Sequence, residues 1–112
     1  MEENIIEITN ANINDYINND KIFILDFFSN SCSPCKLLFS VLKEIKEKFS
    51  DKINIGKLNV EDSLGLIMEY NISNIPTLIF FKNGQMKKRL VGLNNKKMII
   101  EIIENILEEK EN

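Results

Sequence analysis

Residues 22–35 read IFILDFFSNSCSPC. The first seven positions are apolar except for Asp26, as expected of a central strand covered on both faces. Ser29, Asn30 and Ser31 then form a polar loop. Cys32 and Cys35 follow at C-x-x-C spacing, and they are the only cysteines in the chain. Pro34 suits the first turn of a helix, where a missing N–H costs nothing. A C-x-x-C between a strand and a helix in an α/β chain is the signature of a dithiol/disulfide redox centre.

Past this stretch, Leu38, Val41, Leu42, Ile45 and Phe49 follow the i, i+3, i+4, i+7 rule of a helix with one apolar face. Residues 53–60 read as a strand, residues 63–70 as a short helix, and Thr77–Phe81 as a strand entered from Pro76. Asn83-Gly84 is a two-residue hairpin signal, so the strand over residues 86–91 should run antiparallel to its predecessor. Asn94 or Asn95 can cap a last helix whose buried stripe is Ile99, Ile102, Ile103, Ile106 and Leu107. On the N-terminal side, Asn4–Ile8 reads as a strand, and Asn10 or Asn12 can cap a brief helix through Ile17.

The order β-α-β-α-β-α-β-β-α predicts the α/β class. The expected architecture is a central mixed sheet of about five strands, four flanking helices and a C-terminal antiparallel hairpin. The 112 residues suit one domain, with residues 108–112 a charged, frayed tail.

Composition removes several function classes. The formal net charge is −3 with no basic stripe, so nucleic acid is not an expected partner. The acidic N-terminus resembles no signal peptide. No run approaches the ~18 apolar residues of a spanning helix. A soluble, cytoplasmic protein is expected, and in that compartment a lone cysteine pair is catalytic or redox-sensing more often than structural. The chain has no histidine, which removes Cys-His and Ser-His-Asp catalysis and histidine-ligated metal.

With Cys32 as helix N-cap and Cys35 in the first turn, the two thiols share a helix face and are close enough to bridge. Unpaired N–H groups and the positive end of the helix dipole favour thiolate at Cys32. Lys36 is a minor contributor to that field. Cys32 is then the exposed nucleophile and Cys35 the more buried resolving thiol. Two alternatives stand beside this. One is a zinc site shared between two chains, since one chain lacks the ligands to complete it. The other is an inert buried pair, which the polar loop and Pro34 oppose.

Asp26 interrupts a buried strand. An isolated buried carboxylate is costly, so its pKa should be raised, and a base near Cys35 would help that thiol lose its proton. The alternatives are an Asp at a strand end reaching solvent, or one paired with Lys57. Pro76 is tolerated at a strand start, and most X-Pro bonds are trans.

Three stretches together carry a family resemblance: FILDFFSNSCSPCK from Phe23, KLNVED from Lys57, and YNISNIPTLIFFKNGQ from Tyr70, with Val91-Gly92 after them. The chain resembles the thioredoxin family over nearly its whole length. The resemblance implies a protein disulfide reductase with no bound cofactor, working through a redox-active Cys32–Cys35 disulfide. Its electrons would come from a thioredoxin reductase, with NADPH or ferredoxin upstream, and its substrates would be disulfide-containing proteins. It also implies that Asp26 assists deprotonation of Cys35, with Lys57 close by. Pro76 would be cis and face the disulfide. The backbone of Ile75 would pair with an extended substrate segment, and Gly92 would lie beside the groove. Ser31, Ser33 and Pro34 would belong to the surface that meets partners.

Two departures stand out. Ser31 occupies the place of a tryptophan flanking the nucleophile, with Phe28 where another tryptophan is common. Ser33 replaces a glycine between the cysteines. The first bears on partner choice and the second on redox potential. Three functions fit these residues: a general disulfide reductase, a specialised carrier serving one reductase and few substrates, and a non-catalytic binding module of the same fold. A monomer is expected for each.

Overall fold

The computed structural model describes residues 5–109. Along the chain run β1 (Ile5–Glu7), α1 (Ile13–Ile17), β2 (Ile22–Phe28), α2 (Ser33–Phe49) and β3 (Ile53–Asn59). After them come α3 (Leu64–Glu69), β4 (Thr77–Lys82), β5 (Gln85–Val91) and α4 (Lys96–Glu108). The five strands form one mixed sheet in the order β1-β3-β2-β4-β5.

β2 lies at the centre, parallel to β3 and antiparallel to β4. Its near-continuous apolar run reflects cover on both faces. Ile22 and Ile24 pack with Leu38, Leu42 and Ile45 of α2 and Ile99, Ile103 and Ile106 of α4. Phe23, Leu25 and Phe27 point the other way, into a second cluster with Ile13 and Ile17 of α1 and Leu66 of α3. Asp26 is in step with Ile22 and Ile24, so the period of two along a strand places it under α2.

Local signals account for the joints. Asn83 (φ 53°) and Gly84 (φ 81°) both take left-handed conformations, and Lys82 pairs with Gln85 across them, as a type I′ hairpin requires. Asn95 caps α4, its side chain accepting the Met98 N–H at 2.8 Å. Gly56 is needed for space. A Cβ there would lie 2.5 Å from Ile8 Cγ1 and 3.0 Å from Phe23 Cε1.

Some expectations are corrected. Asn12 stands at the α1 N-cap position, but its side chain does not cap the helix. It turns back to accept the Thr9 N–H and to donate to the Glu7 carbonyl, tying the turn after β1. Asn10 is no cap. Leu107 is 37% exposed, because Ile99, Ile103 and Ile106 already fill the buried side of α4. Ile102 and Val41 are only partly buried at the rims of their helices. Val60 falls outside β3, although its N–H still bonds the Phe28 carbonyl at 2.8 Å. Glu108 belongs to α4; Asn4 and residues 110–112 lie outside the described residues. Among the described residues, no helix is long and apolar enough to cross a membrane.

Candidate active site

β2 ends at Phe28 and α2 starts at Ser33, and the loop between them ends on Cys32, the N-cap of α2. Cys32 is extended, and Pro34 occupies the first turn. Cys32 and Cys35 form a disulfide with Cα atoms 5.3 Å apart, within the ordinary range for such bridges. The Cys35 N–H donates to Cys32 Sγ at 3.3 Å. Cys32 is half-buried, whereas Cys35 is only 3% exposed. An incoming group therefore meets Cys32 first. Among the described residues, no three His, Cys, Asp or Glu side chains gather as a metal site would need.

Behind the disulfide lies a cavity of about 180 Å³ whose lining includes Asp26, Cys35, Lys36, Phe39 and Lys57. Asp26 is 1% exposed and its Oδ1 has no hydrogen-bond partner. Burial pushes its pKa up to about 7, against the opposing pull of the Lys57 charge. Asp26 thus does not reach solvent at a strand end. Lys57 is its register partner on β3. The Lys57 ammonium lies 4.9 Å from the centre of the Phe39 ring and 5.9 Å from that of Phe28, within cation–π range.

Phe39 is the site residue that the sequence reading passed over. Its signal was present: it follows Cys35 by four residues, so the two share a face of α2. Ser29, also buried, accepts the Cys32 N–H on its carbonyl at 3.3 Å, and its hydroxyl lies 3.4 Å from that of Ser31. Ser31, Ser33 and Pro34 are all exposed on the rim around Cys32.

A second segment reaches the same end of the sheet. Phe27 pairs with Thr77, which sets Pro76 beside the end of β2. The Ile75–Pro76 bond is cis, unlike most X-Pro bonds and as the resemblance implied. Gly92, at φ 87°, donates its N–H to the Pro76 carbonyl at 2.7 Å. The Thr77 hydroxyl donates to the Asn74 carbonyl at 2.6 Å. Ile75, Pro76 and Gly92 line no part of the Asp26 cavity; they lie on the β4 side of the disulfide loop.

A sequence profile of the thioredoxin family matches residues 4–105. The chain belongs to the thioredoxin family. It is 38% identical over 104 residues to a thioredoxin of Buchnera aphidicola subsp. Acyrthosiphon pisum, covering 91% of this chain and 96% of the relative. A thioredoxin of Alicyclobacillus acidocaldarius is 35% identical over 90% of this chain and 96% of its own. One from Rickettsia typhi is 33% identical over 92% and 96%. Thioredoxins are protein disulfide oxidoreductases, and this member carries the bridged cysteine pair through which thiol–disulfide exchange runs.

Proposed function

We propose that the chain reduces protein disulfides in the cytoplasm as a monomeric, single-domain electron carrier. Cys32 is the attacking thiolate. It displaces one sulfur of the substrate disulfide, which leaves as a thiolate, and a mixed disulfide forms between Cys32 and the other substrate sulfur. Cys35 then loses its proton to Asp26 and attacks Cys32 Sγ. The Cys32–Cys35 bond forms, the second substrate thiolate leaves, and two electrons have passed to the substrate. A thioredoxin reductase, linked to NADPH or ferredoxin, returns the pair to dithiol. The Ile75 backbone, Pro76 and Gly92 receive the extended substrate segment, while Ser31, Ser33 and Pro34 meet partners at the rim.

The observation that carries this reading is the pairing of a half-exposed Cys32 with a buried Cys35 in a cavity shared with a buried carboxylate whose Oδ1 has no hydrogen-bond partner. The helix N-terminus supplies the field for the first step, and Asp26 supplies the base for the second. Reduction of insulin by the chain with a chemical reductant tests it. Activity is expected in the wild type and lost in Cys32→Ser; an active Cys32→Ser would overturn the assignment of the nucleophile.

A second reading, a carrier for one reductase and few substrates, is favoured by exposed Ser31 beside Cys32, where a flat apolar contact is missing. Trapping on Cys35→Ser separates the two. Many mixed disulfides indicate the general reductase, and one or two indicate the dedicated carrier.

A further inference from the structure

α3 ends at Glu69, and the N–H groups of Tyr70, Asn71 and Ile72 close its last turn on the Leu66, Met68 and Ile67 carbonyls. The chain then has to turn sharply, with Asn71 at φ 55°, before it delivers Ile75 and Pro76 to the disulfide side of the sheet. Ser73 and Asn74 on this stretch are exposed, so little packing holds them. Arg89 of β5 reaches across to this turn. Its Nη2 donates to the Tyr70 carbonyl at 2.6 Å and its Nη1 to the Asn71 carbonyl at 3.5 Å.

The geometry suits the guanidinium. Arg89 pairs with Ile79, whose side chain belongs to the cluster on the α3 face of the sheet. Its planar fork can serve two neighbouring carbonyls while remaining charged, and a cation suits the negative end of a helix. The Tyr70 side chain is held from below, its ring 6.2 Å from Phe27 and 5.9 Å from Phe81. Downstream, the Ile72 N–H bonds the Ile67 carbonyl at 2.9 Å and Thr77 holds Asn74. Arg89 therefore adds hydrogen bonds from β5 to the ring contact of Tyr70 with β4, tying the hairpin to the turn from which the 72–76 segment departs.

We infer that Arg89 is a positioning residue for extended polypeptide substrates, holding the turn at Tyr70 and Asn71 so that the Ile75 backbone is presented in register with the substrate chain. The inference rests on the substrate pairing at Ile75 given under Proposed function. A small aromatic disulfide needs only access to Cys32. A polypeptide disulfide needs the 72–76 backbone in place as well, and misplacement of a reacting partner is costly.

The test uses the reduced full chain in single turnovers. Wild type, Arg89→Met and Arg89→Lys are compared on a cysteine peptide blocked as its glutathione disulfide, on the same peptide N-methylated beside its cysteine, and on 5,5′-dithiobis(2-nitrobenzoate). Arg89→Met, which keeps the stem and loses the donors, is expected to slow the peptide reaction on the order of 10-fold. It should leave the aromatic disulfide within about twofold and the Cys32–Cys35 potential unchanged. Arg89→Lys should recover part of the loss. N-methylation should slow the wild type and have little further effect on Arg89→Met. Equal slowing of both disulfide classes, or a shifted potential, would overturn the positioning role. A peptide rate in Arg89→Met equal to wild type, with the wild type still rejecting the N-methyl peptide, would sink Arg89 and leave the Ile75 pairing standing. A wild type indifferent to N-methylation would overturn that pairing and this inference with it.

Discussion

Asp26 and Lys57 stand opposite each other across the parallel β2–β3 ladder, yet the ammonium of one rests over the Phe39 and Phe28 rings while Oδ1 of the other has no hydrogen-bond partner. The two charges feel each other, but burial dominates and the carboxyl is held near pKa 7. An acid so placed changes its charge in the neutral range, beside the thiol that must give up a proton.

Folding stability should carry the mark of this group. The folded pKa of about 7 lies above the unfolded value of 3.8, so between these limits the folded state holds the extra proton. Its contribution is undiminished below the unfolded value, declines as pH rises and is lost above the folded value, a fall of about 4 kcal/mol in all. Urea unfolding of the oxidised protein from about pH 4.5 to about pH 8 should show wild type losing about 3 kcal/mol more than Asp26→Asn. Parallel pH slopes in the two proteins would contradict a buried, titrating Asp26.

Asp26 should act on the second chemical step and not on the first. Asp26→Asn is expected to slow release of substrate from the Cys32 mixed disulfide on the order of 100-fold, the usual scale of a general base. Attack by Cys32 should change far less. In the wild type, release should speed up as pH passes about 7, where the carboxyl becomes a base. Stopped-flow measurement of both steps decides the matter, and equal slowing would remove Asp26 from its role.

Lys57 lowers the Asp26 pKa by charge alone. Lys57→Met, which keeps the apolar stem and loses the ammonium, should therefore move the midpoint of the release–pH profile upward from about 7. A midpoint that stays in place or falls would mean that the ammonium does not act on the carboxyl.

Gly56 offers a prediction about packing without chemistry. Its missing Cβ leaves room for Ile8 and Phe23, and Gly56→Ala should destabilise the fold by about 1–3 kcal/mol through overpacking. Thermal or urea unfolding reads the loss directly. Insulin reduction below the unfolding transition should remain, because Gly56 lines no part of the site.

The central strand, the helix that carries Cys35, the Asn83-Gly84 hairpin and the α/β order are all legible in the sequence. Each rests on residues near one another in the chain: a seven-residue apolar run, a 3.6-residue stripe, two turn residues with positive φ. The C-x-x-C belongs with them, since three residues of helix suffice to bring Cys32 and Cys35 together. Leu107 marks the limit of such reasoning. Its spacing fits a stripe, but how wide a stripe is buried depends on what packs against α4.

The sequence by itself determined the elements, their order and the redox pair, because propensity, periodicity and turn chemistry act over a few residues. Only the tertiary structure decided that Asp26 shares a cavity with Cys35, that Lys57 leans on Phe39, and that Arg89 holds the turn at Tyr70. These meetings join residues from different parts of the chain, up to 19 positions apart for Arg89 and Tyr70. They follow from strand order and register, and those are set only when the whole apolar pattern is buried at once.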